Sequence, residues 1–436
     1  MNTTDSPDHR TSPEAEALAQ TGDQTAPATR APKSDRAAQK RSRAIRLGVL
    51  SVILVAITGF GLLHQAGGAF KPVGVDALCP FGGIETLWSL VTGAGLLQRI
   101  AVSSVLLLLT TVVIAIVFRR AFCGYLCPLG AVQEWFGKIG KAIWPRNRPQ
   151  IPAAIDKPAR YLKYVILVFF TVWTWQAASL VIRPYDPWVA WMHLTSAELL
   201  AEFGIGLAIL AISLVGSIVY ERFFCKYLCP MGGFLGAISR LSIFRVRRVA
   251  DTCTDCKACD KACPVNITVS AAETVNDAEC INCNECVNVC PVADTLVVAS
   301  SSKPAATKLS ASTMMVLVLT IATIMIGATT IAGAFAWTMP SLAETVESTG
   351  ATLNPEDVKG SMTFAEVSAA SGIPAEAFKQ QYGISDADMN TRIKDLAETY
   401  GFDVHTDVRE FVAAQMAGAS VPATGATGTA PAGESD

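Results

Sequence analysis

Eight of the thirteen cysteines fall in two runs, "CTDCKACDKACP" from Cys253 and "CINCNECVNVCP" from Cys280, each spaced C-x2-C-x2-C-x3-C-P. Thiolates at that spacing hold iron–sulfur cubes: three cysteines of a run grip one cube and the fourth crosses to the other. The spacing therefore assigns Cys253, Cys256, Cys259 and Cys290 to one 4Fe–4S cluster, and Cys280, Cys283, Cys286 and Cys263 to a second. Pro264 and Pro291 turn the chain away after each crossing ligand, and small residues between the ligands let backbone amides approach the sulfides. Disulfides are disfavoured on the reducing face to which the charge pattern below assigns this segment. Zinc ordinarily takes two separated C-x2-C pairs instead.

A second cysteine motif occurs twice. "AFCGYLCPLGA" from Ala121 and "FFCKYLCPMGG" from Phe223 share the form C-x-x-x-C-P, each after a long apolar run and a few basic residues. Around them, residues 79–144 and 186–245 read as two copies of one unit, opening with "CPFGGIETLW" and "DPWVAWMHL". Such duplication builds a pseudo-two-fold bundle with sites at the interface between repeats. Cys123, Cys127, Cys225 and Cys229 then converge as a candidate third metal site, a reading preferred to four buried structural thiols. A spacing of four puts both sulfurs of a pair on one helical face. Pro128 and Pro230, however, favour an extended residue before them. Cys79 is the odd cysteine, and redox exchange, metal contact and simple packing are all open to it.

Histidine is scarce, with four in the chain. His9 and His405 lie towards the ends, and His64 and His193 make no helix-borne pair suited to clamp a haem, which disfavours a transmembrane b-type haem. His64 or His193 suits a hydrogen bond to a quinone carbonyl, or uptake of its proton, near neutral pH. Trp188 and Trp191 would wall the ring, although interfacial aromatics beside a solvated histidine are the plainer account. No G-x-G-x-x-G follows a strand pattern and no G-x4-G-K-[ST] occurs, so neither a nicotinamide nor a nucleoside triphosphate site is supported. "TGAT" at Thr424–Thr427 matches a covalent-flavin signature, but in a Thr/Gly/Ala-rich stretch such a match is cheap.

The elements that must position these residues are membrane helices. A chain of 436 residues with 51% hydrophobic and 17% charged residues and a mean hydropathy of +0.38 is too apolar for an ordinary soluble protein. A hydrocarbon core of about 30 Å needs about 20 apolar residues per helix, and five segments qualify, centred near Ile53, Leu108, Leu167, Leu210 and Leu319. Lys33, Arg36, Lys40, Arg41, Arg43 and Arg46 precede the first, nine basic residues lie between Arg119 and Lys163, and Arg222, Lys226, Arg245, Arg247 and Arg248 follow the fourth. The other connections are nearly free of Lys and Arg, with Lys71 and Arg99 in one and Arg183 in the other. The positive-inside rule then places the N-terminus, both C-x-x-x-C-P elements and the eight-cysteine segment in the cytoplasm of an inner-membrane protein, with the C-terminus outside. A cleaved signal peptide is not expected, because the polar stretch before the first apolar run is too long and no A-x-A site follows. The net charge of −2 says nothing about nucleic acid, and no long basic run suggests it as a partner.

Taken together, several spans, two C-x-x-x-C-P elements and a dicluster segment make residues 45–335 resemble the NapH-like membrane polyferredoxins, the quinol-dehydrogenase component of periplasmic nitrate reductase systems, with relatives in nitrous oxide reductase systems and methylamine utilisation. The resemblance implies electron traffic between the quinone pool, cytoplasmic-side clusters and an extracytoplasmic redox protein. Two features depart from the group: no flavin domain precedes the first span, as one does in the nitrous oxide relatives, and an extra C-terminal domain follows. The expected fold is mainly α: a polytopic five-span bundle carrying the duplicated unit, with an inserted ferredoxin-like α+β segment and a small C-terminal helical domain. Its divisions are a disordered tail at 1–44, spans one to four at 45–245, the dicluster segment at 246–300, span five at 310–337, an extracytoplasmic helical domain at 341–418 and a disordered tail at 419–436. Thr363 with Glu366 predicts a capping box, Pro374 the first turn of the next helix, and "FAEVSAASGI" aligned with "IKDLAETYGF" two helix–turn–helix units. No catalytic constellation stands out there, and docking a redox partner is its expected role. The rival function is a maturation, assembly or redox-sensing factor for a metalloenzyme.

Overall fold

The computed structural model describes residues 33–66, 72–73, 78–92, 98–145, 151–177, 181–196, 199–300, 307–338 and 362–417, with single residues between 353 and 360. Residues 1–32 of the expected tail at 1–44, the expected tail at 419–436 with its "TGAT" stretch, and the connection at 339–352 lie outside the described residues.

The first helix, Lys33–Ala66, has 34 residues and at 1.5 Å per residue is about 51 Å long, well beyond a hydrocarbon core. Its surplus is the basic first third, so residues 33–44, expected within the disordered tail, are helical. Long-range ion pairs explain the difference: Arg43 reaches Glu285 at 2.6 Å, and Arg46 grips Glu134 at 2.8 Å. Both carboxylates lie far along the chain, where no local window finds them.

Among the described residues three helices are long and apolar enough to cross a membrane, Arg36–Gln65 within this first helix, Leu199–Val219 and Ala311–Ile331. The segments centred near Leu108 and Leu167 are helical too, over Gln98–Phe118 with 21 residues and over Leu162–Ala177, whose end adjoins residues outside the described ones. The helix Gln98–Phe118 packs against Pro80–Thr92 so closely that a Cβ at Gly83 would stand 2.5 Å from the Ser104 carbonyl.

Each C-x-x-x-C-P element is a short helix, a turn and a second helix: Ala121–Tyr125 then Pro128–Ile143, and Phe223–Tyr227 then Pro230–Ile238. Cys127 and Cys229 are the extended N-cap residues, with φ/ψ of −71°/116° and −68°/111°. The two cysteines of an element therefore do not share one helical face. The steric demand of the following proline overrides the four-residue period.

The segment after the fourth apolar helix is α+β. Strands β1 (Phe244–Arg248) and β2 (Leu296–Ser300) pair antiparallel with Val246 opposite Val298, and the short helices Ala258–Ala262 and Glu285–Val289 follow the cysteine loops. It shares a core with the membrane helices, in which Phe118, Tyr125, Leu235, Val246, Ile281 and Met314 are buried together. The C-terminal domain has its own core around Val358, Phe364, Phe378 and Phe411. The Thr363–Glu366 capping box is formed, Pro374 is the N-cap rather than the first helical residue, and Gly372 and Gly401 end their helices at φ of 72° and 74°.

Candidate functional site

Two cavities lie side by side in the α+β segment. One is lined by Cys253, Cys256, Cys259 and Cys290. The other is lined by Cys263, Cys280, Cys283 and Cys286. The loops around them contain left-handed residues, Asp255 and Lys257 in the first run and Asn282 and Asn284 in the second, with φ between 46° and 62°. Reversals of this kind turn successive N–H groups into a concavity suited to an anion. Burial pushes Cys259 and Cys263 up to about 11 and Cys283 up to about 12, so these thiols keep their protons at neutral pH unless a metal replaces them. Four sulfurs around one hollow fit a cube. Among the described residues no three His, Cys, Asp or Glu side chains close on a single ion. A cube spreads its ligands over four iron corners and asks for a wider ring than one ion does.

The two cavities differ in exposure. Cys256 faces solvent, whereas Cys280 and Cys283 are buried. The second hollow sits against the first C-x-x-x-C-P element: a Cβ at Gly124 would lie 2.8 Å from the Ile281 carbonyl and 3.6 Å from Cys283 Cα. Asn284 Nδ2 donates to Tyr125 Oη at 3.1 Å, Asn282 Nδ2 donates to the Phe118 carbonyl at 3.0 Å, and Arg119 Nη2 donates to the Asp277 carbonyl at 2.7 Å. Gly124 is thus small because the cysteine loop rests on it. In the other repeat the same position is Lys226, which is buried and pairs with Asp156 at 2.8 Å beneath Tyr220 and Tyr227. Burial alone raises Asp156, but hydrogen bonds from Lys226, Tyr227 and Arg160 outweigh it and hold the carboxyl at about 2.

The four repeat cysteines come within electrostatic reach of one another. Burial pushes Cys127, Cys225 and Cys229 up, and in each case Cys123 pushes in the same direction. Gln133 ties the repeats, donating to Cys225 Sγ at 3.2 Å while its oxygen accepts from the Phe224 amide at 3.0 Å. Arg222 Nη1 donates to the Cys123 carbonyl at 2.7 Å, and its Nη2 reaches Glu134 at 2.8 Å. Arg120 Nη1 reaches Glu279 at 3.1 Å, and Lys163 pairs with the same carboxylate.

The proposed quinone residues lie at the opposite end of the bundle. His193 caps the helix Pro187–Met192, donates from Nδ1 to the Val189 carbonyl at 2.8 Å and stacks on Phe203 with centroids 4.4 Å apart. A carbonyl only accepts, so Nδ1 carries the hydrogen and Nε2 of the neutral ring is an acceptor. His64 bonds the Pro72 carbonyl through Nδ1 at 2.7 Å. Gln65 next to it donates to the Met192 carbonyl and accepts from Thr195, which joins the two histidine-bearing segments. Trp188 is packed in the core, and Trp191 Nε1 donates to Thr58 at 3.1 Å. Cys79 sits just ahead of Pro80–Thr92, as Cys127 and Cys229 sit ahead of their helices.

Sequence reasoning missed Arg120, Arg222, Glu134, Glu279 and Gly124. The signal for the arginines was present: both stand three residues before the first cysteine of their element. The glutamates had none, since one lies in the repeat and the other in the inserted segment.

Comparison with known proteins agrees with this chemistry. A family described as "4Fe-4S binding domain" matches residues 100–147 and again 203–249, and one described as "4Fe-4S dicluster domain" matches 245–291. YccM of Escherichia coli, named for electron transport, is 34% identical over 203 residues, which is 46% of this chain and 56% of that protein. The ferredoxin-type protein NapH of Escherichia coli is 28% identical over 42% of this chain and 59% of its own length. NirI of Paracoccus denitrificans is 28% identical over 51% of this chain and 31% of its own. The chain therefore spans about a third to three fifths of the length of these relatives. No solved structure matches it. By these likenesses the chain is similar to iron–sulfur electron-transport proteins, and it carries cysteine-lined hollows and helices apolar enough to cross a membrane. Within that class the chain is similar to the ferredoxin-type proteins named NapH.

Proposed function

We propose that the chain carries electrons between the quinone pool and an extracytoplasmic redox protein by way of two cytoplasmic-side 4Fe–4S clusters, held by Cys253, Cys256, Cys259 and Cys290 and by Cys280, Cys283, Cys286 and Cys263. Cys123, Cys127, Cys225 and Cys229 hold a third metal centre between the second cluster and the membrane. The clusters supply one-electron storage. The protein's residues supply the rest: thiolates as ligands, Gly124 as the seat of the second cluster's loop, and His193 as acceptor of a hydrogen bond from a quinol hydroxyl.

The observation that carries this reading is the sorting of the eight cysteines into two hollows of four, one exposed through Cys256 and one packed on Gly124. That order, from solvent to buried hollow to repeat cysteines, is the order of a relay. The repeated match at 100–147 and 203–249 supports the duplicated unit. Five spans accord with the basic bias, and the helix Gln98–Phe118, with 21 residues, is about 32 Å long. The same bias assigns the N-terminus to the cytoplasm of an inner-membrane protein and the C-terminal helical domain to the outer side, where it would dock the partner.

The test is anaerobic addition of a quinol analogue to purified, cluster-loaded protein, followed by electron paramagnetic resonance. Reduced-cluster signals are expected. Clusters that respond to dithionite but never to quinol would favour the maturation or sensing role.

A further inference from the structure

We propose that Arg120 and Arg222 are positioning residues of the repeat-cysteine centre, each reaching from its own repeat to hold the cysteine turn of the other and to set a permanent positive charge beside the four sulfurs. The inference rests on the third centre proposed above. It stands on a crossed geometry. A Cβ at Gly130 would lie 3.0 Å from Arg222 Nη1 and 3.2 Å from the Cys123 carbonyl; a Cβ at Gly232 would lie 2.7 Å from Arg120 Nη2 and 3.1 Å from the Cys225 carbonyl. Gly130 and Gly232 each stand three residues after the second cysteine of their element, so the two contacts are related by the repeat. Each guanidinium thus lies in the notch of the opposite turn, and any side chain at either glycine would displace it.

The anchors differ in origin. Glu134 holds Arg222, and in the second repeat the matching position is Gly236. Over that glycine comes the cysteine-rich segment, with the Ala278 carbonyl 3.4 Å from a Cβ built there, and Glu279 of this segment supplies Arg120 with its carboxylate. The docked segment therefore completes a pair of clamps that the duplication left half built. Both arginines are at most 1% exposed, and the Nε–H of each has no hydrogen-bond acceptor. Such a donor is costly to bury and suits an anionic group. A centre ligated by four thiolates is net negative, and a guanidinium stays charged at any working pH.

The variants Arg222→Lys, Arg222→Met and Arg120→Lys separate charge from reach. In cluster-free protein, maleimide labelling mapped by mass spectrometry should rise roughly tenfold or more, the loss expected for a buried charge-assisted hydrogen bond. The rise should fall on the opposite repeat: Cys123 and Cys127 for the Arg222 variants, Cys225 and Cys229 for Arg120→Lys. In loaded protein, Arg222→Met should shift the third centre's reduction to more negative potential or lose its iron, whereas Arg222→Lys should keep the potential nearer the wild type. Labelling confined to the variant's own repeat, or unchanged in all three, overturns the proposal. Wild-type protein without iron beyond the two cubes would sink the third centre itself, and the labelling pattern would still decide whether the arginines hold the turns crosswise.

Discussion

At the scale of residues, the eight clustered cysteines do work that no neighbour can replace, because ligand spacing is a local property that the chain carries into any fold. The spacing assigns them to two sets of four with crossing partners Cys263 and Cys290, and the same sets line the two hollows. Cys263→Ser should extinguish the signal of the cluster on Cys280, Cys283 and Cys286 and leave the cluster of Cys253 reducible. Electron paramagnetic resonance of that variant showing loss only at the Cys253 cluster would reverse the assignment. The charged residues were far less legible. Arg46 meets Glu134 across 88 positions and Arg120 meets Glu279 across 159, and pairs at such separation leave no mark in spacing or periodicity.

Elements carry the coupling between hollows and membrane. The helix pair of each C-x-x-x-C-P element is broken where proline demands an extended residue, which presents the second cysteine at a helix N-terminus. The conflict between a four-residue period and a following proline was visible in the sequence, and only the backbone dihedrals decide it. The role of Gly124 was not visible, since its neighbour is the loop around Ile281. Gly124→Val would drive a branched side chain into that carbonyl, and overpacking of this kind typically costs about 1–3 kcal/mol. The expected outcome is selective lability of the buried cluster: slower quinol-linked reduction and faster iron release to a chelator than in wild type. Equal release from both clusters would mean that the segment does not lean on Gly124. Lys226→Ala at the matching position should not have this selective effect, because its partners are Asp156 and two tyrosines.

For the whole molecule, the apolar helices frame a core that the cysteine-rich segment shares. Apolar runs announced the helices apolar enough to cross a membrane, while the shared core and the start of the first helix at Lys33 depended on contacts made across the fold. Sidedness is open to direct test. Ala387 is exposed in the C-terminal domain, so Ala387→Cys should react with an impermeant maleimide in intact cells whose outer membrane has been opened; labelling only after lysis would move that domain to the cytoplasm. The account turns most on the relay through the repeats. Iron per chain, measured alongside quinol-driven cluster reduction in wild type and in the double variant Cys225→Ser/Cys229→Ser, tests it. Wild type should exceed the about eight iron atoms of two cubes, and the double variant should fall to that number, keep both cube signals with dithionite and lose reduction by quinol. About eight iron atoms in wild type, with quinol reduction unchanged in the double variant, would contradict it.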